Sequence, residues 1–383
     1  MRRCIAAAAL ALVSLSGTAA TFRAVLLVAA DDPRLARERL ERGVPGQPTG
    51  PAADALKVAL KEGAVELDAA GAKLELETVE VADAAAARVA ATAAEKSGAA
   101  VLLADLPGAW LPAAVDAVKL PLLNVGAAED MLRAAGCRRN LWHTAPSERM
   151  RADAIAQFLV ARRWSNVLLL TGPSEADRLR SATVQAALQR YGLKLTASRS
   201  FKLSADPRER DLANPLLLTQ GSHDVVWVVD ADGEFALSLP YRTALPRPVV
   251  GDGGLVALAW SPRFERFGAP QVTRRLNRAA GRPMGAHDWS AWVAGKVLVA
   301  AAVAAPKGPA AAFQRALAEG EVDGSKGVSL SFRPWDGQLR QPLLLSDGQS
   351  VVAIAPFDGV LHPKNNLDTL GADAPEKLCR ARG

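Results

Sequence analysis

The feature that most constrains this chain is an alternation of short apolar runs with helical stretches, played through twice. "AVLLVA" (24–29), "LELETVE" (74–80), "AAVLLA" (99–104) and "LPLLNV" (120–125) make a first series of strands. "NVLLLT" (166–171), "LKLTASRSF" (193–201), "DVVWVVD" (224–230) and "PVV" (248–250) make a second. Helical patterns at 51–63, 83–96, 109–118, 148–163, 175–191, 207–219 and 233–244 separate them. Continuous apolar strands divided by helices belong to parallel sheets covered on both faces, so the fold class is α/β. At 383 residues the chain exceeds what one core usually organises, and half of it is apolar, which implies two lobes. Further helices at 270–280, 288–305 and 309–319 are assigned to the first lobe, giving 22–142 plus 265–325. The second lobe takes 143–264 plus 326–383, where "GVSLSFRPWDGQLRQPLLL" and "QSVVAIAPF" read as antiparallel strands around "WDGQ". "RGVPGQPTGP" (42–51) reads as a surface loop. Ligands of such sheets bind at the carboxyl ends of the strands, which places a site in the cleft between the lobes.

Residues 1–20 read as a signal peptide: "MRR", then the apolar "CIAAAALALVSL", then "SGTAA", with cleavage expected near Ala20. The mature chain is therefore expected in the periplasm, soluble and monomeric, with no membrane insertion. Loss of Arg2 and Arg3 lowers the net charge of +6 by two, and no basic run carries interleaved aromatics, so nucleic-acid binding has no support. Cys137 and Cys379 remain after cleavage and are the candidates for a disulfide in an oxidising compartment.

Signatures of catalysis are absent. There is no phosphate-binding loop and no nucleophile elbow, and "GDGGLV" (251–256) lacks dinucleotide-binding spacing. His143, His223, His287 and His362 are scattered, with no zinc spacing. The chain is read as a non-enzyme with no catalytic cofactor and no metal. One cluster stands out. In "GAHDWSAWVAGKVLVAAAVAAP" (285–306) a histidine, an acid and two tryptophans crowd the start of an otherwise bland helix. Asp288 is expected to be its N-cap.

The order of these elements resembles the type I periplasmic solute-binding proteins, nearest to the branched-chain amino acid receptors of ABC importers. "LPLLNVGAAEDMLRAAGCRRNLWHTAPSERMRADAIAQFL" (120–159), "DVVWVVDADGEFALSL" (224–239) and "GAHDWSAWVAGKVL" (285–298) carry the resemblance. It implies a two-lobed periplasmic binding protein type I fold, each lobe a parallel sheet flanked by helices, with the ligand cleft between the lobes. The amino acid signature is missing. "DLPGAW" (105–110) and "NVGAA" (124–128) lack the hydroxyl residues that hold an α-carboxylate, so free leucine or valine is not the expected ligand.

"RPWDGQLRQPLLL" (333–345) and "HPKNNLDTLGADAPEKLC" (362–379) resemble a subfamily associated with pyrroloquinoline quinone (PQQ)-dependent alcohol oxidation. That resemblance implies PQQ, a planar tricarboxylate, as the bound ligand, for uptake through an ABC permease or delivery to a PQQ-dependent dehydrogenase. Flat faces and cations would hold it. The expected ligand contacts are Trp110, Asn124, His143, Arg149, Arg178, His287 and Trp289, while Trp164 and Trp227 are assigned to the core. The alternatives are a receptor for a small aromatic or aliphatic carboxylate, and a non-binding accessory protein of an alcohol-oxidation system.

Overall fold

The computed structural model describes residues 20–308 and 310–382. The signal peptide expected at 1–20 lies outside them except for Ala20. In the first sheet, β1 (Ala20–Ala29), β2 (Ala72–Val81), β3 (Val101–Asp105), β4 (Leu122–Asn124) and β5 (Leu141–His143) run parallel in the order β2-β1-β3-β4-β5. In the second, β6 (Asn166–Thr171), β7 (Lys194–Ser200), β8 (Val225–Val229) and β9 (Val249–Gly251) run parallel in the order β7-β6-β8-β9.

Helices cover both faces of each sheet. After β1, α1 (Arg37–Arg42) buries no side chain, and the first sheet is covered by α2 (Ala52–Glu62), α3 (Ala64–Ala70), α4 (Ala84–Lys96) and α5 (Leu111–Val115). The second is served by α6 (Glu148–Arg162), α7 (Glu175–Arg190), α8 (Pro215–Leu218) and α9 (Glu234–Ser238). Side chains alternate along β1: Ala24 and Leu26 pack towards α2, while Val25 and Leu27 pack towards α4 and α5. Trp227 lies in the core of the second sheet, and Trp164 packs against the same core.

Later in the chain, α10 (Ala269–Ala280), α11 (Ala286–Ala304) and α12 (Ala310–Glu319) return to the first sheet and share its core. Helix α11 is buried on nearly every side, which its uninterrupted Val, Leu and Ala run requires. It crosses α2 closely. A Cβ at Gly295 would lie 2.6 Å from that of Ala59, so only glycine fits there.

β10 (Val256–Leu258), β13 (Leu343–Ser346) and β14 (Val351–Ala355) form an antiparallel sheet, and β11 (Glu321–Asp323) pairs with β12 (Ser329–Ser331). The "WDGQ" segment turns the chain, with Phe332 bridged to Leu339 on either side. The motif is structural. Arg333 is fully buried and donates to Asp368, Leu367 O and Leu370 O, and Trp335 Nε1 donates to Ala372 O. The tail then returns to the first sheet, where Cys379 is bonded to Cys137 across 242 residues of sequence.

Two departures from the sequence expectation have local causes. The helix expected at 207–219 is a 3-10 turn (Pro207–Ala213) followed by the short α8, because Pro215 cannot continue the turn before it. Asp288 is not the N-cap of α11. Gly285 is, and Asp288 sits three residues in, where its carboxylate accepts the Gly285 N–H at 2.9 Å. Asp288 also accepts from Arg282 and from Thr49.

Candidate ligand cleft

In an open parallel sheet, the crevice lies where strand order reverses, at the carboxyl ends. The first sheet reverses between β1 and β3, and the second between β6 and β8. Each of those points carries a cluster of charge.

At the first, Asp32 follows β1 and Asp105 ends β3. Arg34 bridges them, with Nη2 2.6 Å from Asp32 Oδ2 and 2.7 Å from Asp105 Oδ1. From the first turn of α11, His287 brings Nε2 to 2.9 Å from Asp105 Oδ2. Nε2 of His287 faces only the Asp105 carboxylate, and its Nδ1 is buried without a hydrogen-bond partner. Burial pushes the Asp105 carboxyl up, but His287 and Arg34 outweigh it and hold it well below the usual range. Burial likewise opposes the Arg34 charge, and the two aspartates more than restore it.

At the second, Glu148 opens α6, Arg180 stands on α7 and Asp252 follows β9. Arg180 joins them, with Nε 3.2 Å from Glu148 Oε2 and Nη2 2.5 Å from Asp252 Oδ1. Asp252 also accepts the Asp230 N–H at 2.7 Å. Arg151 reaches Glu148 at 3.3 Å, and its buried Nε has no partner. Burial raises the Glu148 carboxyl, and Arg180 and Arg151 reverse the shift to a net lowering. The side chains of Arg34, Arg151 and Arg180 remain 24%, 26% and 23% exposed.

Of the residues expected to touch ligand, only His287 joins these clusters. Trp289 is fully buried: Trp260 stacks parallel to it at 6.3 Å, Lys326 Nζ sits 3.4 Å from its ring centre, and Nε1 donates to Gly324 O. Neither face is free for a planar ligand. Trp292 is buried beside it and donates to Glu62. Trp110 precedes α5 and packs into the α4–α5 layer. Arg178 is on the surface, paired with Glu175.

Arg149 turns towards the tail instead, held by both oxygens of Glu376. It lines a cavity of about 220 Å³ with Asp130, Thr183, Arg190, Arg333 and Leu378. Asn124 and His143 are fully buried and bonded to each other, with Asn124 Nδ2 3.0 Å from His143 Nδ1, while His143 Nε2 is buried without a partner. Asn124 also accepts the Gly126 and Ala127 N–H groups and donates to Ala127 O, so it pins the turn after β4 and has no donor left. Burial, with Arg133 nearby, drives the His143 pKa well down and keeps the ring neutral.

The sequence reading missed Asp32, Arg34, Asp105, Glu148, Arg151, Arg180 and Asp252. A signal was present for two of them. Asp105 closes an otherwise apolar strand, and Asp252 follows another directly. Among the described residues no group of His, Cys, Asp and Glu is arranged to hold a metal ion, and no helix is long and apolar enough to cross a membrane.

No family model matches the chain, and no curated protein matches it. Solved structures do. A periplasmic binding protein from Burkholderia mallei aligns over 95% of this chain and 99% of its own, with 12% identity and a TM-score of 0.67. The solute-binding protein of an ABC transporter from Rhodopseudomonas palustris BisB5, in complex with 3,4-dihydroxybenzoic acid, aligns over 90% and 99%, with 16% identity and a TM-score of 0.66. A branched-chain amino acid transporter substrate-binding protein from Streptococcus pneumoniae, in complex with isoleucine, aligns over 87% and 98%, with 14% identity and a TM-score of 0.62. The chain has the two-lobed α/β fold of the periplasmic binding proteins.

Proposed function

We propose that this protein is a solute-binding protein that closes its lobes on a small aromatic or aliphatic carboxylate, in the periplasm and in partnership with an ABC permease. The observation that carries this reading is the pair of charged clusters at the two switch points, each holding partly accessible arginines. The unpartnered Arg151 Nε is a donor without an acceptor, which an incoming carboxylate supplies. Solved structures of the same fold include complexes with 3,4-dihydroxybenzoic acid, benzoate and isoleucine, which supports a ligand of that size. No reaction is assigned to the cleft.

Charge balance favours one carboxylate over three. Arg34 already faces Asp32 and Asp105, and Arg180 faces Glu148 and Asp252. A single carboxylate needs one arginine to exchange a partner. A tricarboxylate such as PQQ would bring three charges into a cleft whose four acids already outnumber its three arginines, at a large desolvation cost. Trp289, covered by Trp260 and Lys326, offers it no stacking face.

Calorimetric titration of the mature protein with benzoate, 3,4-dihydroxybenzoate, isoleucine and PQQ tests this. We expect one of the small acids to bind stoichiometrically. Arg34→Gln and Arg180→Gln should each weaken it by about 1.5–3 kcal/mol, the scale of a hydrogen bond to a charged group. Tight binding of PQQ alone would overturn the ligand assignment. Failure of a broad panel of small carboxylates, with the fold intact, would overturn the solute-binding reading.

A further inference from the structure

The connection from Ala29 to Ala52 runs through a 3-10 turn (Pro33–Leu35) and α1, neither of which buries a side chain of its own. It is not the plain surface loop that its Pro/Gly-rich end implies. Its root and its end are fixed to the first lobe. Arg34 sits on Asp105 at 2.7 Å, and Thr49 Oγ1 donates to Asp288 at 2.9 Å. Its middle, including α1, reaches the second lobe at the loop between β8 and α9. Arg39 Nη2 donates to Ala231 O at 3.1 Å, and Arg39 Nη1 lies 3.4 Å from Asp232 Oδ1. Arg42 lies 3.5 Å from Asp232 and 3.6 Å from Glu234.

Val44 is buried against Gly233 in the same loop, where a Cβ would come within 2.6 Å of Val44 Cγ1. Gly233 also has φ +81°, which glycine adopts without strain, so both the close approach and the backbone require it. The segment therefore starts at one switch point and touches the other.

We propose that residues 30–51 are a lid over the cleft, latched to the second lobe by Arg39 and Arg42 on Asp232 and Glu234, and that solute exchange requires this latch to break. The inference rests on the solute-binding reading for its purpose but not for its geometry. Arg39 and Arg42 are 27% and 30% exposed, and Asp232 and Glu234 are 59% and 57% exposed. Pairs this open are individually weak and screened by salt. That suits a latch that must open repeatedly.

Hydrogen exchange of the solute-free mature protein reads the latch directly. In Arg39→Gln/Arg42→Gln, amides of 37–46 and 231–237 should exchange about three- to tenfold faster than in the wild type at low salt, the range expected for a few exposed pairs. Salt at about 0.5 M should bring the wild type towards the variant. Exchanging the charges, Arg39→Asp/Arg42→Asp with Asp232→Arg/Glu234→Arg, should restore protection. Equal exchange in wild type and the neutral variant at low salt overturns the lid. With a solute that calorimetry has identified, the neutral variant should show faster association and faster dissociation together, with a smaller change in Kd. If no solute binds while the exchange effect persists, the latch stands and the solute-binding reading falls.

Discussion

Lys326 is buried with no carboxylate among its partners: its Nζ donates to Gln341 Oε1 at 3.2 Å and to Pro342 O at 3.0 Å, against the face of Trp289. Burial lowers its pKa well below the ordinary lysine value. The folded state then binds fewer protons than the unfolded state between that lowered pKa and about 10.4, so stability rises with pH across this window. In Lys326→Met that contribution should vanish. The difference in thermal midpoint between wild type and variant should shift in favour of the wild type as pH is raised from about 7 to 10, since the wild type alone gains from lysine deprotonation. A difference independent of pH would refute the assignment. Single residues of this kind were scarcely legible in the sequence. A polar group at a strand end, such as Asn124, serves equally well to pin a turn or to hold a ligand, and only its completed hydrogen bonds distinguish the two. Arg149 is spoken for by Glu376, 227 positions away in sequence, and spacing carries no record of that distance. The two cysteines were the exception, because beyond the expected signal peptide the sequence holds only Cys137 and Cys379, which are bonded to each other.

Elements were read more accurately than their contents. The alternation of apolar strands with helices gave eight of the nine strands of the two parallel sheets to within a few residues, since period and continuity depend on local sequence. β5 and charge-rich α1 escaped: β5 is bounded by Arg138, Arg139, Asn140 and Thr144, and neither segment sits in an apolar run. The start of α11 shows where element and function part. His287 and Trp289 were both expected to touch ligand, yet the helix sinks its first turn into the core, so Trp289 packs on Trp260 while His287 turns to Asp105. Trp289→Ala should therefore act as a core truncation, lowering stability by about 3–5 kcal/mol as large aromatic deletions do. Denaturant unfolding measures that loss. The affinity of the folded fraction for its solute should change little, and a selective loss of affinity with stability unchanged would return Trp289 to the cleft.

The two sheets are tied by more than the chain passing between them. The tail packs on α6 through Arg149 and Glu376, buries Arg333 against Asp368, and then reaches back to the first sheet, where Arg382 lies 3.9 Å from the centre of the Trp142 ring and donates to Leu141 O. The Cys137–Cys379 bond closes that path. How the lobes meet was not legible in the sequence, because it depends on such pairings between distant positions. The bond encloses 242 residues of separation, and in the chain-entropy model a loop of that length contributes about 5 kcal/mol. The reduced tail still keeps its ion pairs and buried contacts, so the measured loss should be smaller, about 2–4 kcal/mol. Cys137→Ser/Cys379→Ser should show this as a lower denaturant midpoint, and wild type unfolded in the presence of reductant should match it. Since the bond lies at the tail and not at the lid, latch protection at 37–46 should persist in this variant under native conditions. Loss of that protection together with the disulfide would mean that the tail, and not Arg39 and Arg42, holds the lobes closed.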